Sequence, residues 1–330
     1  MFPIMRWGVF AAIVFTLAVQ TQEPPSEPTL LKSSSSRTLS VPDMMSYNAR
    51  CDGNGHVFYR LLRPDNSWNE SVVTKLDLKS ESSTIYEQPA DYAGKVVLWE
   101  FALTPSGRLW YLDELREKAG TTALGFDSNG EVTSHTHLDT PPNLFVTSFA
   151  AADDDSLLVG GFFTNEAAPE LRGKSYLATF GRTGTLTKDV GAGLPSQDMA
   201  AFAKGIVTSA PVVASVDGNF YVLNADTVLV MSQSGEIIGR MKFSLPGRGG
   251  RPYEMALSGG LLSIEFLIPN ADETLTPEFV VVDTASGMPY ARYRSSEEVG
   301  WVCLCFSRQD GYTFSRRDNG KIQLVTAPLR

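Results

Sequence analysis

Apolar residues in this chain fall in short runs separated by turn residues rather than by amphipathic helical stretches. A short apolar segment enters a turn built on glycine or aspartate, and a second apolar segment leaves it. A variable loop follows, then a third apolar segment, a second glycine turn and a more polar fourth segment. The clearest copy covers 212–243: the turn Val216-Asp217-Gly218-Asn219, then Phe220-Tyr221-Val222-Leu223, then Thr227 to Met231 and the turn Gln233-Ser234-Gly235-Glu236. Glycine adopts left-handed backbone freely and Asp and Asn tolerate it, so these are hairpin turns with a mechanism.

Six copies align. Their first turns centre on Gly55, Gly107, Asp155, Gly218, Gly260 and Gly311, spaced 42 to 63 residues apart. Four strands per unit at such a period predict the blades of an all-β, six-bladed β-propeller. The alternative, a pair of β-sandwiches, lacks the paired-turn regularity. The absence of helical periodicity between strands argues against a βαβ sheet. The last copy ends on its third strand, Ile322 to Val325, and a ring removes its edges only if its ends join. Thr38–Val41, just before the first copy, is therefore expected to supply the outer strand of the last blade.

The stretch SVDGNFYVLNADTVLVMSQSGEIIGRMKF (215–243) resembles a blade of the NHL and related six-bladed propellers, with Leu223-Asn224 where those blades carry an aspartate after the second strand. The resemblance extends in pattern over most of residues 40–330 and implies a fold, not an activity.

The N-terminus predicts an address. Arg6 precedes a 13-residue apolar run, Trp7 to Val19, too short to span a bilayer as a helix, and Ala18, Val19 and Thr21 offer a cleavage window. Residues 1–22 therefore read as a signal peptide for a secreted or periplasmic protein, the alternative being an uncleaved anchor. Residues 23–37, with Pro24, Pro25, Pro28 and Ser33 to Ser36, read as a flexible linker, and 38–330 as the propeller. No membrane span is expected in the mature chain. With 28 Lys and Arg against 37 Asp and Glu, the net charge is −9, which disfavours a phosphate backbone as partner; no nucleic acid is expected.

Three cysteines are too few for a disulfide scaffold or a four-thiolate zinc site. Cys51 falls in the first blade and Cys303 and Cys305 in the last, so a bond from Cys51 to Cys303 or to Cys305 would lock the closure of the ring. The alternative is three buried thiols. Spacing by two places Cys303 and Cys305 on one face of a strand.

Long loops are expected on the face opposite the first hairpins: Arg63–Ser71, Glu114–Gly120, Phe162–Lys174, Gly191–Gly205, Leu245–Pro252, Pro269–Thr276 and Ser295–Gly300. Gly191–Gly205 reads as one short helix with Ser196 at its N-cap. Arg248 and Arg251, on a glycine-rich loop, suit a carboxylate or phosphate. Tyr253, Trp301 and Trp68 are candidate ligand-binding aromatics beside them. His135 and His137 make half a metal site, and Asp153 to Asp155 offer oxygen ligands to calcium. Each has a simpler reading as surface or turn, and no metal or cofactor is expected. No nucleophile elbow, H-E-x-x-H or thiol–histidine motif is visible, so no catalytic residue is assigned. Paired carboxylates could still converge at the channel mouth, for instance Glu100, Glu254 and Glu265, but the sequence does not place them together.

Two functions remain in competition. One is a non-enzymatic exported propeller that binds a protein segment or small ligand on its long-loop face. The other is a hydrolase or lyase at the mouth of the channel, which requires convergent carboxylates or histidines with a strongly shifted pKa.

Overall fold

A computed structural model describes residues 27–39, 49–61, 72–89, 96–115, 121–164, 168–191, 196–203, 210–246, 249–272, 274–319 and 321–329. The expected signal peptide lies outside the described residues, as do Trp68 and Arg248.

The described residues start with two short strands, β1 (Thr29–Leu30) and β2 (Ser35–Leu39). Blade 1 is β3 (Arg50–Cys51), β4 (His56–Leu61), β5 (Val72–Asp77) and β6 (Ser83–Tyr86). Blade 2 is β7 (Val96–Leu103), β8 (Leu109–Leu115), β9 (Thr121–Phe126) and β10 (Val132–Leu138). Blade 3 is β11 (Leu144–Ala151), β12 (Leu157–Phe163), β13 (Ser175–Phe180) and β14 (Leu186–Asp189). A single helical turn, α1 (Met199–Phe202), precedes blade 4, which is β15 (Val212–Ala214), β16 (Phe220–Asn224), β17 (Thr227–Met231) and β18 (Ile237–Lys242). Blade 5 is β19 (Arg251–Ser258), β20 (Leu261–Pro269), β21 (Leu275–Asp283) and β22 (Pro289–Arg294). Blade 6 is β23 (Val302–Ser307), β24 (Gly311–Asp318) and β25 (Lys321–Ala327), completed by β2. The molecule is a six-bladed β-propeller.

All six first turns do contain a left-handed residue at the expected position. Asp155 is the informative one, because an L residue with a Cβ holds φ +69° there. Its carboxylate compensates: it pairs with Arg108 across the blade boundary and lies 3.4 Å from Arg182. At Gly311 the close approach is steric, since a Cβ would collide with the carbonyl oxygen of Ala327.

No single core exists. Six apolar clusters lie one at each interface between neighbouring blades. The period of two in a strand makes this possible, because successive side chains face opposite neighbours. On β12, Leu157 and Val159 pack toward blade 2, while Leu158 packs toward blade 4.

The ring closes through the chain's beginning. β2 pairs antiparallel with β25, Ser35 opposite Thr326 and Leu39 opposite Ile322. The closing strand thus begins three residues before the expected Thr38, and Ser40 and Val41 lie outside the described residues. β1 adds a further strand, parallel to β22, at the outer edge of blade 5. The expected linker to Arg37 accordingly gives way to paired backbone from Thr29 onward. Its serines and prolines contribute little apolar burial, and the free edges of blades 5 and 6 supply the hydrogen bonds instead. Leu31 is the apolar anchor between the two strands, buried in the cluster between blades 5 and 6.

Cys51 and Cys305 form a disulfide with Cα atoms 5.5 Å apart, and Cys303 is free. The spacing argument for Cys303 and Cys305 is overturned. A β-bulge interrupts the pairing of β23 with β24 between these residues. The extra residue flips the alternation, so Cys303 packs toward blade 5 and Cys305, with Leu304, toward blade 1. In the short helix, Asp198 rather than Ser196 caps the N-terminus, its Oδ1 accepting the Ala200 N–H at 2.9 Å.

The bridge ties residues 254 positions apart in sequence. Cys51→Ser is expected to lower unfolding stability by about 2–5 kcal/mol in urea titrations, and Cys303→Ser by about 1 kcal/mol or less. Equal losses in the two variants would show that the bridge does not stabilise the ring.

Candidate functional site

The first strand of each blade faces the axis, and these inner strands neighbour one another around the ring. Four of them carry a bulge in their pairing with the second strand: after Leu98, Val146, Pro252 and Cys303. Bulges re-aim the residue at which pairing resumes, and in two blades that residue is a glutamate, Glu100 and Glu254.

These two carboxylates meet Arg50, the first residue of β3. Arg50 lies 3.5 Å from Glu100 and 3.6 Å from Glu254, with its guanidinium 5.4 Å over the Phe101 ring. The contacts are charge pairs longer than ideal hydrogen bonds. One cation thus holds side chains from blades 1, 2 and 5 together near the axis.

Glu265 is directly opposite Glu254 in the β19–β20 pairing. Cross-strand partners project to the same face, and like charges in such a pair are destabilising. Both groups respond by holding protons. Burial pushes Glu254 up to about 7; the Arg50 charge opposes the rise and Glu100 adds to it. Burial, with Glu254 alongside, places Glu265 well above the ordinary carboxyl range. The Glu254 side chain keeps 22% of its exposure, along the cavity, whereas Glu265 keeps 7% as a residue. Among the described residues the Glu265 carboxyl has no hydrogen-bond partner. Its neighbour on the same face of β20, Ser263, is satisfied by the Tyr312 hydroxyl at 2.8 Å.

A cavity of about 160 Å³ opens beside this cluster. Its polar lining includes Arg50, Glu254, Glu265, Ser263 and Cys303, and its apolar wall includes Leu257, Phe279 and Phe306. The Cys303 thiol is raised by burial first, then by the nearby Glu265 and Glu254. The described lining comes from inner strands, from the first hairpins, such as Asp52-Gly53 and Thr104-Pro105, and from Ser263 and Glu265 of β20, Phe279 of β21 and Tyr312 of β24. It includes no long-loop residue.

The structure therefore separates the sequence candidates. Glu100, Glu254 and Glu265 come together. Arg251 is exposed at the start of β19, and Tyr253 and Trp301 keep 37% and 45% of their exposure outside the cavity lining. Cys51, Cys303 and Cys305 all line the cavity. His135 and His137 are exposed on β10, while His56 is held by Asp52 at 2.6 Å. Asp153 accepts the Ser106 N–H at 3.1 Å, Asp154 accepts from Ser156, and Asp155 is paired with arginines, so the three aspartates serve the turn. Among the described residues no group of His, Cys, Asp and Glu is arranged to hold a metal ion.

Arg50 is the member of this cluster that sequence reasoning missed. Its one signal was a basic residue beside a cysteine at the start of an inner strand. Glu265 had a clearer one: Leu261 to Ile268 is apolar on both faces except for Ser263 and Glu265. A second buried acid lies between blades 1 and 2. Asp113 is raised to about 7 by burial, against the Gln88 amide at 3.2 Å and the Arg60 charge. It does not line the cavity.

No protein-family model and no curated protein matches the sequence. Solved structures share the fold. A luciferin-regenerating enzyme superposes with a TM-score of 0.51 at 11% identity, over 89% of this chain and 97% of that one. A putative gluconolactonase gives 0.48 at 11% identity, over 91% and 98%. The PQQ-bound aldose sugar dehydrogenase of Streptomyces coelicolor gives 0.48 at 12%, over 92% and 99%. The likeness to the luciferin-regenerating enzyme shows the fold alone, and none of the three carries an activity across to this chain.

The carboxyl pair has a consequence for stability. A raised folded-state pKa contributes stability that is complete below the unfolded value and lost as pH rises through the folded one. For Glu254 that window runs from about 4.5 to about 7. The urea midpoint is expected to fall between pH 5 and pH 7.5, and to fall less in the double variant Glu254→Gln, Glu265→Gln. An identical decline in both proteins would mean that the pair is ionised in the folded state.

Proposed function

We propose that this chain is an exported, non-enzymatic propeller that binds a small polar molecule in the axial cavity. The observation that carries the reading is the convergence of Arg50, Glu100 and Glu254 from three separate blades beside a preformed cavity. Rigid inner strands hold charged groups in place with little reorganisation, which suits recognition. Binding of a protein segment on the long-loop face draws on Arg251, Tyr253 and Trp301, which lie outside the cavity lining. The axial cavity is therefore the better-supported site. Export is supported by the character of residues 1–22 and by the disulfide, a bond that persists in secreted and periplasmic compartments.

A second reading has its own observation. Glu254 titrating near 7 beside a protonated Glu265 is an acid–base pair matched to neutral pH, as a hydrolase or lyase at the channel mouth needs.

A library of small polar metabolites, read by thermal shift and ligand-observed NMR, tests both readings. Binding is expected in the native protein and is expected to weaken at least tenfold in Ala256→Leu, which fills the cavity wall. Hits that bind the blocked variant equally well would place the site elsewhere. If a bound molecule is also converted, Glu254→Gln is expected to slow turnover about 100-fold or more; an unchanged rate would dismiss Glu254 as acid or base.

Export has a separate readout. The mass of the protein recovered from the host's envelope or medium is expected to correspond to a chain starting near residue 22. A chain retaining Met1 would refute cleavage.

A further inference from the structure

Charge around the cavity does not balance. Arg50 pairs with Glu100 and Glu254, Glu265 lies opposite Glu254, and a further acid in the lining, Asp52, is engaged by His56. Arg60 also acts on Glu100, so Glu254 and Glu265 are two carboxyl groups beside the one guanidinium of Arg50 in the lining. The surplus is held in check by protons, and Glu265, 7% exposed, lines the cavity with no hydrogen-bond partner among the described residues. A donor group on a ligand in the cavity would supply that partner.

The rest of the lining suits a cation as well. Phe279 and Tyr312 pack at a tilt of 37° with ring centroids 4.3 Å apart, and Phe306 lies 5.1 Å from Tyr312, so three aromatic residues line the cavity with the carboxyl pair. Aromatic faces attract ammonium groups, most strongly where water is excluded. Leu257, Ala256 and Val213 extend the apolar side. The volume of about 160 Å³ is close to the roughly 150 Å³ of an engineered cavity that admits a single benzene ring.

We propose that the cavity takes a small organic ammonium, with its charged head between Glu254 and Glu265 and its apolar body against the aromatic wall. The inference rests on the axial-cavity reading above and specifies the class of molecule. An anion would meet the carboxyl surplus. A bare metal ion would find no ligand cluster among the described residues, and Arg50 lies 3.6 Å from the nearer carboxylate. An ammonium group donates several hydrogen bonds, satisfies Glu265 and takes the place of protons.

Proton replacement makes binding pH-dependent. The charged and titratable groups facing the pair are Arg50 from β3, Glu100 from β7, Cys303 from β23 and Tyr312 from β24. Cys303 and Tyr312 are raised by burial and stay neutral at pH 8 and below, so the carboxyl pair dominates the change. Affinity for an amine rises as Glu254 ionises and falls again only when the amine itself deprotonates, at about 9–10.

Titration calorimetry on the full folded chain distinguishes the possibilities, with benzylamine, benzyl alcohol, benzoate and calcium chloride as separate probes at pH 5.5 and pH 8. Benzylamine is expected to bind at least tenfold more tightly at pH 8, to bind at least tenfold more tightly than benzyl alcohol there, and to lose at least tenfold in Glu265→Gln. The pH profile of the unaltered protein stands if that variant folds poorly, and Glu254→Gln provides an independent flattening of it. Equal binding of benzyl alcohol or benzoate in the cavity would overturn the ammonium proposal while leaving the small-ligand reading intact, as would binding of calcium alone. Absence of every probe, together with a metabolite screen blank at the cavity, would overturn both.

Discussion

Closure of the ring is the constraint on which the rest of the structure depends. A blade buries its two faces against two different neighbours, so no blade has a core of its own. Remove one contact and two blades each expose an apolar face. The chain therefore spends its first described strands on the closing edge, with β2 on blade 6 and β1 on blade 5, and places a disulfide between the inner strands of blades 1 and 6. Backbone pairing at the rim and a covalent bond near the axis restrain the same seam at two radii.

That closure is also what makes the axial site possible. Inner strands held on both sides cannot easily move apart to hydrate a buried carboxyl. Glu254 and Glu265, opposed on adjacent strands, therefore keep their protons instead of separating. Arg50 comes from the blade beside the seam, and its position relative to Glu254 exists only because the first and last blades meet. A flexible frame would relax such a cluster; a closed one holds it in place.

Much of the site was legible in fragments. Glu100, Glu254 and Glu265 stood out as acids within strand-forming segments, but their distances in sequence say nothing of a shared partner. The glycine-rich loop before Arg251 and the aromatic Tyr253 and Trp301 looked the more inviting, because exposed arginines and aromatics are the usual marks of a binding surface. The cavity instead uses the first hairpins, the inner strands and side chains of the second and third strands of blades 5 and 6. A one-residue bulge decided the facing of Cys303 and Cys305, and no residue type at Leu304 announces it.

What the amino-acid sequence determined by itself was local: where strands begin and end, which turn positions demand left-handed backbone, and how many blades there are. Those follow from side-chain alternation and from the φ preferences of glycine and aspartate, which act over a few residues. The tertiary structure alone decided which strand from the chain's start joins which blade, which cysteine Cys51 bonds, and that one arginine holds two distant glutamates. Such outcomes depend on the twist and bulge geometry accumulated around the whole ring, and no interaction between near neighbours in sequence encodes that sum.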